Sequence, residues 1–235
     1  MKNFIHLAER PELSFGMRTE NVKGKRNYVT PSGKLYPSIT TILGEFSKKS
    51  IQEWRKRVGE TEANKISGKA SRRGTSLHNL CEEYIKNKEG FLQGELPYIA
   101  ELFHSIEPIL ERIDNIHGVE LALYSDQYRL AGRTDLVAEF DGVLSIVDYK
   151  TSNKIKKKEW CENYFAQCSF YASAYEERTG IEVPQIVIIV AVENEHPQLF
   201  VEKRDDWTHI IWKAKELYEI NNNLEKKNVN VKNAA

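Results

Sequence analysis

Phe140-Asp141-Gly142-Val143 has the composition of a two-residue β-turn, because Asp-Gly suits the two positive φ angles of a type I′ turn. The flanking segments, Tyr128 to Phe140 and Val143 to Thr151, are rich in β-branched and apolar residues and read as the arms of a hairpin. With Phe140 opposite Val143, counting back sets Asp135 across from Asp148 at a non-hydrogen-bonded pair. Like charges facing each other across a ladder are destabilising, so this spacing points to a cation between them. Lys150 follows Asp148 by two residues and shares its face of the strand. Two carboxylates, an ammonium and a divalent cation form a set suited to phosphodiester hydrolysis. The plain alternative is a solvated pair of acids, or a bulge that destroys the register.

The rest of the chain must position these groups. Tyr28 to Tyr36 alternates around Pro31-Ser32-Gly33 and predicts a small hairpin, followed by a short apolar stretch, Ile39 to Phe46. Ser50 and Glu53 have capping-box spacing, which predicts a helix start. Between Lys48 and Arg73 stand nine basic residues, including Arg55, Arg57, Lys69, Arg72 and Arg73, against three acids. That excess is either a solvated helix face or a phosphate-contacting surface, with Trp54, Tyr28 and Tyr36 as aromatics able to stack bases. After Gly74, the residues Leu77, Leu80, Cys81, Tyr84 and Ile85 form a helical stripe with His78 at its edge. A histidine so placed is more often a boundary residue than a ligand.

A second helix is expected over Ile99 to Ile116, ending near Gly118, and then a strand, Val119 to Ser125, that carries Glu120. Past Thr151 a lysine run (Lys154, Lys156, Lys157, Lys158) leads into a helix over Glu159 to Arg178. Trp160, Tyr164, Cys168, Tyr171 and Tyr175 are spaced to pack it on the sheet, with Gln167 and Tyr171 sharing a face. Gln185 to Val192 reads as a strand buried on both sides, Leu199 to Glu202 as an edge strand and Trp207 to Leu224 as a closing helix.

Composition narrows the classes. The 235 residues suffice for one domain with a substantial core, with 1–74 as an amino-terminal hairpin and basic helical segment, 75–224 as the core and 225–235 as a frayed tail. Thirty-four basic and thirty-four acidic residues balance, which excludes a globally basic nucleic-acid coat but not a local patch. Cys81, Cys161 and Cys168 cannot build a four-cysteine iron-sulfur cluster and show no disulfide framework. No Walker A motif is present, so no ATP-driven motor is expected. Met1 to Gly16 lacks the pattern of a signal peptide or an Arg-rich leader, and the expectation is a cytoplasmic protein of a bacterium or phage-infected cell without a membrane partner.

Taken in order, His78, Glu120, Gly132-Arg133-Thr134-Asp135, Asp148-Tyr149-Lys150-Thr151 and Gln167 with Tyr171 resemble the RecB-like branch of the PD-(D/E)XK nuclease superfamily. Pro37-Ser38-Ile39-Thr40, Ile42-Leu43 and Trp54 resemble the amino-terminal segment of mitochondrial genome maintenance exonucleases and their phage relatives. The likeness implies an α/β fold with an αβββαβ core, a mixed central sheet flanked by helices, and bound Mg²⁺ or Mn²⁺. It further implies that Asp135, Asp148 and the Tyr149 main-chain carbonyl hold the metal, with His78 as a further ligand or a neighbour of the metal site. Glu120 would serve a second metal or a metal-associated water, Lys150 would orient and help deprotonate the attacking water, and Gln167 and Tyr171 would support Lys150 and the substrate. Arg55, Arg57, Lys69, Arg72, Arg73, Thr151 and Lys154 are the expected DNA contacts, with single-stranded DNA or ends as substrate. A structure-specific endonuclease and an inactive DNA-binding module are the alternatives; intact Asp135, Asp148 and Lys150 argue against the latter.

Overall fold

A computed structural model describes residues 2–7 and 13–233, with side chains to Asn223. Its amino-terminal part is a three-stranded antiparallel sheet, β1 (Arg18–Val22), β2 (Lys25–Val29) and β3 (Leu35–Pro37). β2 and β3 are the expected hairpin. Four helices follow: α1 (Ile39–Leu43), α2 (Glu45–Val58), α3 (Glu60–Ile85) and α4 (Pro97–Leu110). The main sheet then runs in sequential order through β4 (Ile113–Ser125), β5 (Leu130–Phe140), β6 (Val143–Ser152), β7 (Gln185–Val192) and β8 (Gln198–Lys203). Only the β6–β7 pairing is parallel, and the crossover that parallel strands need is supplied by α5 (Glu162–Thr179). Helix α6 (Thr208–Asn233) closes the chain. This is the mixed α/β, αβββαβ architecture that the sequence implies.

The sheet's two faces bury two cores. Val187, Ile189 and Ala191 on β7 pack with Val147 and Tyr149 against Leu77, Cys81 and Tyr84 of α3 and Phe103 of α4. The alternate residues Ile186, Ile188 and Val190 pack with Ile146 against Phe165, Cys168 and Tyr171 of α5 and Ile211 of α6. Burial on both faces explains why β7 is apolar throughout.

Several boundaries differ from expectation. α2 begins at Glu45, so Ser50 lies inside the helix and its hydroxyl donates to the Ser47 carbonyl instead of capping an end. α3 is continuous from Glu60 through Gly68 and Gly74, so the helix bearing His78 does not begin at Thr75. α4 stops at Leu110, and Ile113 to Gly118 is strand. The error has a physical source: register irregularities fall between Asp114 and Ile116 and between Ile116 and Gly118. One extra residue turns the strand spacing of two into three, so Ile113 and Ile116 both face the core with a helix-like interval. α5 starts at Glu162 after a short 3₁₀ turn, Lys158–Trp160, and Trp160 is 54% exposed, not packed on the sheet. α6 runs to Asn233, beyond the expected end at Leu224.

Candidate active site

The hairpin turns as its sequence dictates, with φ of 51° at Asp141 and 78° at Gly142. Phe140 pairs with Val143, and the ladder continues through Leu136 and Val147. The next pair in this register is Asp135 and Asp148, and there the ladder stops. The Tyr149 amide donates to Asp135 Oδ2 at 3.0 Å, so a side chain occupies the fork where the two strands part. That fork lets groups from both faces of the sheet meet.

On the other side of β5, Val119 pairs with Leu136 and Leu121 with Thr134, which leaves Glu120 level with Asp135. Extending the Asp114–Glu139 register unbroken would have put Gly118 there. The two upstream irregularities therefore advance β4 by two residues and bring the acid into line. Glu120 has φ of 54°, a left-handed conformation that costs a non-glycine residue about 1–3 kcal/mol and persists only where surrounding structure enforces it. Glu120, Asp135 and Asp148 thus stand side by side on three successive strands.

Helices complete the site from opposite faces. From α3, His78 Nδ1 lies 3.2 Å from Asp135 Oδ2, and its ring meets Tyr149 edge-on at 5.9 Å. From α5, Gln167 Nε2 donates to Asp148 Oδ1 at 3.3 Å and lies 3.5 Å from the Tyr171 hydroxyl. Lys150 pairs with Asp148 Oδ2, and Asp148 is only 1% exposed. Gly132 lets α5 come this close: a Cβ there would sit 2.8 Å from the Tyr171 ring and hydroxyl and 3.0 Å from Ile39. His78, Glu120, Asp135, Asp148, Lys150, Gln167 and Tyr171 are therefore brought together, with the Tyr149 main chain between Asp148 and Lys150.

Crowding three carboxylates shapes their protonation. Burial, followed by the Asp135 charge, pushes Glu120 up to about 7, and Arg133 at 3.8 Å only partly offsets this. Burial and the charge of Asp135 hold Asp148 up at about 6 against the opposing pull of Lys150. Asp135 moves the other way: burial opposes ionisation, but the hydrogen bond and charge of His78, with Lys150 and the Tyr149 amide, keep it low. Burial lowers His78, yet Asp135 outweighs it and the net shift is upward. Desolvation lowers Lys150 as well, but Asp148 and Asp135 more than compensate, so it stays an ammonium.

The expected DNA contacts separate. Arg57, Lys69 and Arg72 are exposed on α2 and α3, and Lys154 is exposed after β6. Arg55 pairs with Glu60 and donates to Asn64 at 2.6 Å. Arg73 departs most from expectation: it is buried, 2.7 Å from Glu193, and ties α3 to the end of β7. Thr151 is partly buried beside Gly74. Tyr28 and Tyr36 are 3% and 7% exposed, which removes them as base-stacking surfaces. Sequence reasoning missed Tyr164, whose ring lies 5.3 Å from Lys150 Nζ; its position three residues before Gln167 was the available signal.

The fold agrees with a match to a known family. Residues 42–229 match the family model of the PD-(D/E)XK nuclease superfamily, and the chain belongs to that superfamily. It is 26% identical over 165 residues to mitochondrial genome maintenance exonuclease 1 of Mus musculus, covering 63% of this chain and 49% of that protein. To the Homo sapiens protein of the same name it is 24% identical over 129 residues, covering 51% and 38%. The chain thus spans half or less of these relatives' length. A candidate exonuclease of Eubacterium rectale, known from its crystal structure, aligns over 68% of this chain and 73% of its own with a TM-score of 0.46 and 15% identity. No described helix is long and apolar enough to cross a membrane.

Proposed function

We propose that this chain is a divalent-metal-dependent DNA exonuclease acting on single-stranded DNA or single-stranded ends. The observation that carries the reading is the row of Glu120, Asp135 and Asp148 on adjacent strands, with Lys150 paired to the last of them. The donors fit a hard cation in type, because oxygen ligands suit Mg²⁺ and an imidazole suits Mn²⁺. They fit in charge as well: two of the three acids are held above the ordinary carboxylate range by burial and by Asp135, which a cation would relieve. Among the described residues no three His, Cys, Asp or Glu side chains converge closely enough to hold an ion as they stand; Asp135 pairs with His78 and Asp148 with Lys150, so binding would require these side chains to turn toward the cation.

Asp135, Asp148, the Tyr149 carbonyl and His78 are the residues that would hold Mg²⁺ or Mn²⁺, with Glu120 available for a second ion or for water. When bound, the cation polarises the scissile phosphate and makes water more acidic. Lys150, kept charged by Asp148 and Asp135, donates to the oxyanion that develops on the phosphate and orients the nucleophile. Gln167 fixes the far oxygen of Asp148, and Tyr171 holds Gln167 in place. Incubation with end-labelled single-stranded, duplex and circular DNA in Mg²⁺, Mn²⁺ or EDTA tests the reading. Cleavage of closed circles would replace it with an endonuclease.

A further inference from the structure

Next to this site lies an aromatic and basic surface that includes Lys154, one of the expected DNA contacts. Tyr164 stands between two ammoniums, with Lys150 Nζ at 5.3 Å and Lys156 Nζ at 5.7 Å from its ring. Trp160, four residues earlier, stands between two more: Lys154 and Lys157 each lie 5.7 Å from its ring. The two rings are four residues apart in the chain, so the lysines at Tyr164 and those at Trp160 belong to one aromatic and basic stretch that begins at the candidate catalytic lysine and includes the exposed Trp160. Among the described residues Lys154, Lys156 and Lys157 have no ion-pair partner, whereas the neighbouring Lys158 is taken by Glu202 at 2.6 Å.

We propose that this stretch binds the single-stranded segment of the DNA substrate, with one base stacked on Trp160 and the flanking phosphates held by Lys154 and Lys157. Half of the Trp160 surface is exposed, which is unusual for the largest apolar side chain and leaves its ring open to a partner. Trp160 also lines an open pocket of about 470 Å³ with Phe46, Asn163, His209 and Lys213, so an incoming base meets a shaped and partly aromatic recess. The ammoniums now near the ring sit on flexible stems, and a stacking base displaces them toward its own phosphates. Glu159 and Glu162 line the same pocket and oppose phosphate there, which confines the backbone to the lysine side. A rigid duplex cannot offer a splayed base to this ring, whereas a single strand can.

The inference rests on the nuclease reading, and its test separates the two. Binding of a short labelled oligothymidylate is measured in EDTA for the parent, Trp160→Ala and Trp160→Phe. Loss of one stacking contact is expected to weaken binding by roughly 5- to 100-fold in Trp160→Ala, with most of it recovered in Trp160→Phe. Lys154→Ala and Lys157→Ala should each flatten the dependence of log Kd on log salt by about 0.7. Circular dichroism establishes that the variants are folded. Parental affinity in a folded Trp160→Ala overturns the proposal, as does an equal loss of affinity for blunt duplex. If the parent cuts DNA with Mg²⁺ or Mn²⁺, such results overturn this proposal alone; a parent that cuts no nucleic acid yet shows Trp160-dependent binding overturns the nuclease reading alone.

Discussion

Lys150 is a partly buried cation whose charge is held by two carboxylates, and this decides what each substitution does. Lys150→Ala should lower turnover on single-stranded DNA by at least about 10²-fold, while metal affinity holds or improves because a competing cation is gone. Equal turnover in single-turnover assays would make Lys150 a bystander. Removing its partner is different: Asp148→Ala leaves a partly buried ammonium without its buried carboxylate, and breaking such a pair costs up to about 3 kcal/mol, the lower end for fully buried pairs. The acid whose removal relieves strain is Glu120. Its folded pKa of about 7 lies above the ordinary carboxylate value, so the folded state holds the proton more tightly. The resulting stability is present below the unfolded pKa and is lost as pH rises through 7. Metal-free protein should therefore melt lower at pH 8 than at pH 5, and Asp148 at about 6 adds to the decline in the same direction. At pH 8 in EDTA, Glu120→Gln should raise the Tm by about 2–4 °C, or about 1 kcal/mol after allowing for partial exposure. Parallel melting of parent and variant across this range would remove the carboxylate-crowding argument.

At the scale of elements, the site depends on how closely α5 approaches β5. Gly132→Ala places a methyl against Tyr171 and Ile39, and relieving that overlap must move the helix that carries Gln167. A destabilisation of about 1–3 kcal/mol is expected. Activity should fall at temperatures where circular dichroism shows the variant folded, because Gln167 no longer reaches Asp148. Full activity in that folded variant would mean that the close approach serves packing alone. The Asp135–Asp148 alignment was legible in the sequence, since turn chemistry and a period of two fix the register of a short hairpin. The level of Glu120 was not legible from spacing, because it depends on two irregularities in β4 that the same apolar pattern disguises as helix. Arg73 failed for a related reason: a basic run does not reveal which member meets a carboxylate from β7, 120 positions away in the chain. Trp160 was misplaced because helical spacing extended one turn beyond the helix that exists.

The whole molecule divides its labour across the sheet. α3 and α4 cover one face and deliver His78; α5 and α6 cover the other and deliver Gln167 and Tyr164; the parting of β5 from β6 is where the two sides meet. A protein with no net charge can still present a local basic surface, and the proposed path would give an anionic polymer a route to the aligned acids. The claim on which the rest depends is that the aligned acids act through a divalent metal on DNA. Metal-stripped protein incubated with end-labelled single-stranded DNA tests it directly: no cleavage is expected in EDTA, and cleavage should return on addition of Mg²⁺ or Mn²⁺. Undiminished cleavage by the stripped protein in EDTA would contradict it.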